Sequence, residues 1–380
     1  MSHPQTHNMT VPQKSPKIEV EWITEPRRMT ELAEEWTLLE PSIQHRTVFS
    51  SFDFLQNWYG YYAGPYGGNP LIGVARRAGA LAGIAPLVMR RGCLSRIPLT
   101  RVHFAYHEAY AGEFLHEDDH PETIGAFIDS LAGSAEFDLI CLNGIDQGTQ
   151  QFAVLEDAAA RNGLVMEITN HPNATVDLRG GYDDYCRSMS RNFRRTVKRQ
   201  AQRVTSAGKP AVDGVRLNSG KDRLDSCINQ LIAIMEGSYK LKGRRMEDLH
   251  RSYLAALARR FAARDSLHLS ILSINNKDAA AVMGLVERGT YYDVTLAYTE
   301  EFAPLSPGAY LMQEVLSDLS ERGVHTVVSH GAHDYKLRWS TAFVPSTRVF
   351  LFARTNSALI SRFIRFKMSP LWRKVGIEDP

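Results

Sequence analysis

The first periodic stretch along the chain sets Ile18, Val20 and Trp22 against Glu19 and Glu21, a spacing of two that predicts a strand. Spacings of three and four then predict helices over Met29–Leu39 and Phe52–Tyr62. Two apolar runs, Leu71–Ala75 and Leu81–Met89, meet across Arg76-Arg77-Ala78-Gly79-Ala80 and read as a hairpin. Helices over Thr123–Leu131 and Gln150–Arg161 alternate with strands over Phe137–Leu142 and Val165–Ile168, with Gly144 and Gly163 at the joints. The turn-rich break His171-Pro172-Asn173-Ala174 ends this mixed α/β half.

Beyond the break the pattern predicts a short strand, Thr175–Leu178, and helices over Tyr185–Ala207, Leu224–Tyr239 and Leu249–Phe261. Three strands follow, Leu267–Ile274, Ala279–Glu287 and Tyr291–Tyr298, joined by hairpin-type turns at Asn275-Asn276-Lys277-Asp278 and Arg288-Gly289-Thr290. A helix Gly308–Arg322, a strand Val324–Ser329 and a last strand Arg348–Ala353 close the second half. The expected organisation is a loose tail over 1–16, halves over 17–174 and 175–355, and a basic amphipathic extension over 356–380. With 380 residues, two domains are the natural expectation, because single cores rarely grow that large.

Composition narrows the class. A hydrophobic fraction of 44% with 23% charged residues is globular, so bulk disorder is excluded. The net charge of +2 gives no overall attraction to a polyanion, so any such attraction has to come from local clustering. Four scattered cysteines form no C-x-x-C pair, which fits reduced thiols in the cytoplasm rather than a disulfide frame or a zinc site. The N-terminus lacks a signal-peptide core, and no apolar run approaches the ~20 residues of a membrane-spanning helix.

Four segments carry chemistry. At Leu305-Ser306-Pro307-Gly308-Ala309 a strand gives way to a helix, with Ser306 suited to the N-cap, Pro307 to the first helical position and Gly308 leaving the backbone approachable. Amides and the positive dipole end at such a junction bind phosphate, so Ser306, Gly308, Ala309 and Tyr310 are candidates for a pyrophosphate-bearing co-substrate. The segment Gly331 to Trp339 packs Asp334, Tyr335, Lys336, Arg338 and Trp339 behind a strand end, with Tyr335 as proton donor, Lys336 as anion holder and Asp334 either orienting Lys336 or accepting from a substrate amine. The helix Tyr185–Ala207 collects Phe193, Val197, Ala201 and Val204 on one side and Arg191, Arg194, Arg195, Lys198 and Arg199 on the other, which suits a phosphate-rich or acidic ligand as well as a plain solvated face. Finally, Leu359, Ile360, Phe363, Ile364 and Phe366 interleave with Arg362, Arg365 and Lys367, either docked as a helix or lying on an anionic membrane surface. His330 and His333 lack a third ligand at metal spacing, so no metal is expected.

Three of these stretches, Ser190-Arg191-Asn192-Phe193-Arg194-Arg195, Leu305-Ser306-Pro307-Gly308 and Gly331 through Tyr335-Lys336 with Trp339, resemble in order and spacing the GNAT-fold acetyltransferases of the CelD-like, cellulose-biosynthesis group and their FemAB-type relatives. Trp36, Phe49-Ser50-Ser51, Trp58 and Ala85-Pro86-Leu87 extend the resemblance into the first half. It implies tandem GNAT-like α/β (α+β) domains, each a mixed, mostly antiparallel sheet flanked by helices. It also implies acyl transfer from acetyl-CoA or another acyl-CoA to a small-molecule or glycan acceptor, with the pantetheine arm in a gap beside Tyr291–Tyr298. Glu287 and Asp293 are candidate bases, and Arg191, Arg194, Arg195 and Trp339 candidate substrate contacts. The phosphate loop departs from the family's Q/R-x-x-G-x-G/A, which leaves open a FemAB-like aminoacyl-tRNA donor. A non-catalytic binding module in exopolysaccharide or envelope assembly is the reading from a different class.

Overall fold

The computed structural model describes residues 17–44, 46–64, 67–106, 112–134, 136–171, 173–217, 222–238, 245–329, 336, 338–344 and 346–368. In chain order the strands are β1 (Ile18–Ile23), β2 (Asn69–Arg77), β3 (Ala80–Leu94), β4 (Ile97–Phe104), β5 (Leu115–His116), β6 (Leu139–Asn143), β7 (Val165–Asn170), β8 (Asn173–Asp177), β9 (Pro210–Val215), β10 (Leu267–Ile274), β11 (Lys277–Glu287), β12 (Thr290–Tyr298), β13 (Thr326–Ser329), β14 (Ala342–Val344) and β15 (Thr347–Phe352). They form two sheets, ordered β1-β2-β3-β4-β6-β15-β7, with β5 on β3, and β14-β8-β13-β12-β11-β10-β9.

The two sheets have one plan. Four strands are antiparallel in each, one step is parallel (β4 to β6, β12 to β13), and two further strands are antiparallel. The chain exchanges strands between them. After the edge strand β7 it crosses into the second sheet as β8, and after the edge strand β14 it crosses back as β15, between β6 and β7. His171 N donates to Ser346 O at 2.7 Å where the two crossings pass. This corrects the expectation for Arg348–Ala353: the strand belongs to the first sheet and not to the second half that precedes it.

Four strands escape the sequence pattern: β5 and β14 are only two and three residues long, and β4 and β9 have specific causes. In β4 the buried apolar positions change parity between Leu99 and Val102, because Leu99 faces a small cluster with Phe350 and Phe352 whereas Val102 and Phe104 face the opposite layer. β9 is an edge strand that begins at Pro210, with little apolar alternation to reveal it.

The helices are α1 (Pro26–Met29), α2 (Ala33–Leu39), α3 (Phe52–Tyr62), α4 (Glu122–Ser134), α5 (Gln150–Arg161), α6 (Tyr182–Ser188), α7 (Arg191–Ala207), α8 (Leu224–Glu236), α9 (Asp248–Ala263), α10 (Pro307–Glu321) and α11 (Asn356–Phe363). The expected single helix Tyr185–Ala207 breaks before α7, because Ser190 is extended (φ −58, ψ 152) and its hydroxyl accepts from Phe193 N at 3.1 Å as an N-cap. α4 and α5 cover the outer face of the first sheet, and α7 and α10 that of the second. Between the sheets lies one shared core, in which Trp36, Phe54 and Tyr59 of the first half join Leu257, Phe261 and Met283 of the second. Among the described residues, no helix is long and apolar enough to cross a membrane.

Candidate active site

The second sheet opens between β12 and β13. They pair over only three positions, Thr290 with Thr326, Tyr291 with Val327 and Tyr292 with Val328, and β12 then runs on to Tyr298 while β13 stops at Ser329. The parting has a local cause. Met283 faces Thr295 and Gly284 faces Asp293, so Val294 is an extra residue that bends β12 away from its parallel neighbour. The bulge also puts Asp293, Leu296 and Tyr298 on one face.

A cavity of about 630 Å³ fills the opening, walled by those three side chains, by Phe193, Thr196, Val197 and Gln200 of α7, by the start of α10 and by Trp339. The start of α10 follows a 3₁₀ turn, Glu300–Leu305, through Ser306 in the left-handed conformation (φ 57, ψ 51). This corrects the expected serine cap: Ser306 makes no side-chain capping bond, and its carbonyl accepts from Ala309 N (3.1 Å) and Tyr310 N (3.2 Å) instead. Gly308 lies so close to β12 that a Cβ there would stand 3.0 Å from Leu296 Cδ2, so the glycine brings the helix start onto the cavity wall.

The polar centre is Asp293. Its Oδ2 lies 3.5 Å from Lys336 Nζ and accepts from Ser329 Oγ at 3.3 Å, and both charged side chains are only 12% exposed. With so little exposure the pair is screened less than a surface ion pair, and the Ser329 bond helps to hold its geometry. Trp339 packs edge-on against Phe193, with ring centroids 5.1 Å apart, and Tyr185 Oη donates to Trp339 O at 2.9 Å. Burial pushes the Tyr185 phenol far above its ordinary range, so it stays protonated and keeps that bond.

The cavity thus collects Asp293, Ser306, Gly308, Ala309, Lys336 and Trp339. Asp334 and Tyr335, with His330 and His333, lie outside the described residues. Glu287 lies elsewhere: it pairs with Arg46 at 2.5 Å, across to the first half. Arg191, Arg194 and Arg195 are exposed on α7 and do not line the cavity, and neither does Tyr310. Ser329 and Gln200 escaped the sequence reading. Ser329 alternates in phase with Val327, which was a usable signal once the strand was placed. Among the described residues, no cluster of three His, Cys, Asp or Glu side chains is placed to hold a metal ion.

Residues 191–337 match the acetyltransferase (GNAT) domain family. A search of curated proteins returns no match. Among solved structures the chain is similar to FemX, at 12% identity and TM-score 0.56 over 94% of this chain and 99% of that one. It is also similar to the C-terminal domain of a putative lysylphosphatidylglycerol synthetase from Agrobacterium fabrum (12%, TM-score 0.53, 87% and 94%) and to L-PGS from Bacillus licheniformis (11%, TM-score 0.53, 91% and 97%). At these identities the likeness is one of fold, two mostly antiparallel sheets flanked by helices, and the match to the acetyltransferase (GNAT) domain family is confined to residues 191–337.

Proposed function

We propose that the chain is an acyltransferase of the CelD-like GNAT group, working in the cytoplasm, which takes an acyl group from acyl-CoA bound between β12 and β13 and passes it to an amine or hydroxyl of a small molecule or glycan. The observation that carries this reading is the opening itself: a bulged strand parts from its parallel neighbour and a helix start bearing Gly308 closes onto the gap. The residues fit such a donor, since the Gly308 amide and the positive end of the α10 dipole suit a pyrophosphate, Ala309 N and Tyr310 N being held by Ser306 O, and the apolar walls of Leu296, Tyr298 and Val197 suit a thin aliphatic arm. The donor supplies an activated acyl carbon. Lys336 holds developing negative charge, Asp293 fixes Lys336 and serves as the base in preference to the distant Glu287, and Tyr335 returns a proton to the leaving group.

The basic face of α7 favours a second reading, a FemAB-like aminoacyl-tRNA donor. Arg191, Arg194, Arg195, Lys198 and Arg199 are all exposed on a helix whose other side lines the cavity. A thermal-unfolding series separates the readings. Acetyl-CoA at about a hundred times its Kd stabilises the folded chain by about 2.7 kcal/mol and raises Tm by a few degrees, and the Lys336→Ala variant loses most of that gain while melting as the wild type does without ligand. A shift with charged tRNA alone moves the donor to the second reading, and a response only to acidic glycans or anionic lipid makes the chain a binding module.

A further inference from the structure

A second cavity, of about 460 Å³, lies between the halves. Its walls come from both: Glu113, His116, Asp118 and Asp146 from the first, Thr175 and Tyr292 from the second. It backs onto the strands that wall the donor cavity. Asn173, Thr175 and Val328 face it, whereas Ala174, Val176, Val327 and Ser329 face the donor cavity, and alternation along β8 and β13 puts the two on opposite faces of one sheet. Neighbouring residues of β12, Tyr292 and Asp293, divide between them at the point where β12 and β13 part.

The chemistry of this cavity has a sign. Three carboxylates and a histidine line it, and no lysine or arginine stands among its described lining residues. Arg46, beside Thr47, is engaged with Glu287 and Glu40. Glu113 is fixed by Thr47 N (2.9 Å) and Ser50 Oγ (2.6 Å), and Asp118 by Gln44 N (3.0 Å). The Asp146 carboxylate, by contrast, has no hydrogen-bond or ion-pair partner among the described residues, and burial raises its pKa. Thr47 Oγ1, also on the wall, is buried with no hydrogen-bond partner. His116 is 1% exposed, and its Nδ1 donates to Glu117 O at 2.7 Å, a tautomer that leaves Nε2 as the basic nitrogen.

We infer that this inter-half cavity is the acceptor site and that it takes a cationic primary amine, held by Asp146 and reaching the acyl carbon through the opening past Tyr292. The inference rests on the acyltransferase reading. In the transfer the amine nitrogen bonds to the acyl carbon and the carbonyl's bond to the donor's sulfur breaks. The sulfur leaves with that electron pair and takes one of the ammonium's two departing protons. The other passes to Asp293, the base that faces the gap, and then to water.

Calorimetric titration without any donor tests it, using glucosamine, spermidine and lysine amide, each beside its N-acetylated counterpart. At least one amine is expected to bind about tenfold or more tightly than its acetylated form, and Asp146→Asn to lose about tenfold for it. Acetyl-CoA should bind that variant as it binds the wild type. His116→Gln should weaken the amine as well, and Asp146→Asn decides the matter if His116→Gln fails to fold. Equal affinity for an amine and its acetylated form, no binding by any of the three, or an unchanged Asp146→Asn variant overturns the acceptor site. Intact amine binding with no acetyl-CoA binding supports the acceptor site and overturns the donor reading.

Discussion

His103 is 2% exposed in β4, and its Nδ1 donates to Phe104 O at 2.9 Å. Burial, with Arg90 and Arg101 nearby, lowers its pKa to about 4. The unfolded chain therefore binds a proton near pH 6.5 that the folded chain refuses until about pH 4, so this stability is complete above about pH 6.5 and is lost as pH falls through the folded pKa. The loss amounts to about 3 kcal/mol in all. Urea unfolding at pH 7 and pH 4.5 should show a steeper loss for the wild type than for His103→Gln, and equal losses would refute the assignment. The same scale shows what the sequence makes legible at the site. Lys336 and Trp339 stand in a dense polar segment behind a strand end, where composition alone marks them. Asp293 and Glu287 look equivalent in sequence, both acids on neighbouring strands. Only the register and the Val294 bulge send Asp293 to the cavity and leave Glu287 beside Arg46. The acidic lining of the second cavity is scattered over Glu113, Asp118 and Asp146, and no local pattern joins them.

Among the elements, β8 and β15 decide how the halves depend on each other. β15 supplies partners to both β6 and β7, and its Val349, Phe350, Leu351 and Phe352 are all 5% exposed or less. Four such side chains contribute roughly 6–12 kcal/mol, which is comparable with the whole net stability of a domain. A chain ending at residue 346 keeps every strand of the second sheet, yet it should lose cooperative unfolding as followed by circular dichroism and calorimetry. A melt like that of the full chain would contradict the exchange. Periodicity finds most of these elements, because amphipathic helices such as α5 and α10 and buried hairpins such as β10–β11 carry their spacing openly. It cannot find the exchange, since β15 reads as apolar whichever sheet receives it, and pairing partners are set by three-dimensional closure.

Across the whole molecule the halves are bound by one core and by the buried Arg46, Glu40 and Glu287 group at their junction. The two cavities lie back to back on opposite faces of the second sheet, so the proposed transfer needs no closure of one half on the other. Hydrogen–deuterium exchange with and without acetyl-CoA tests whether the gap between β12 and β13 receives the acyl donor. Slowed exchange is expected in the 293–298 stretch of β12 and in the first turn of α10 around Gly308 to Leu311, with β4 and β6 of the first half unchanged. No protection in those two stretches, or protection confined to the β4–β6 joint, would contradict it.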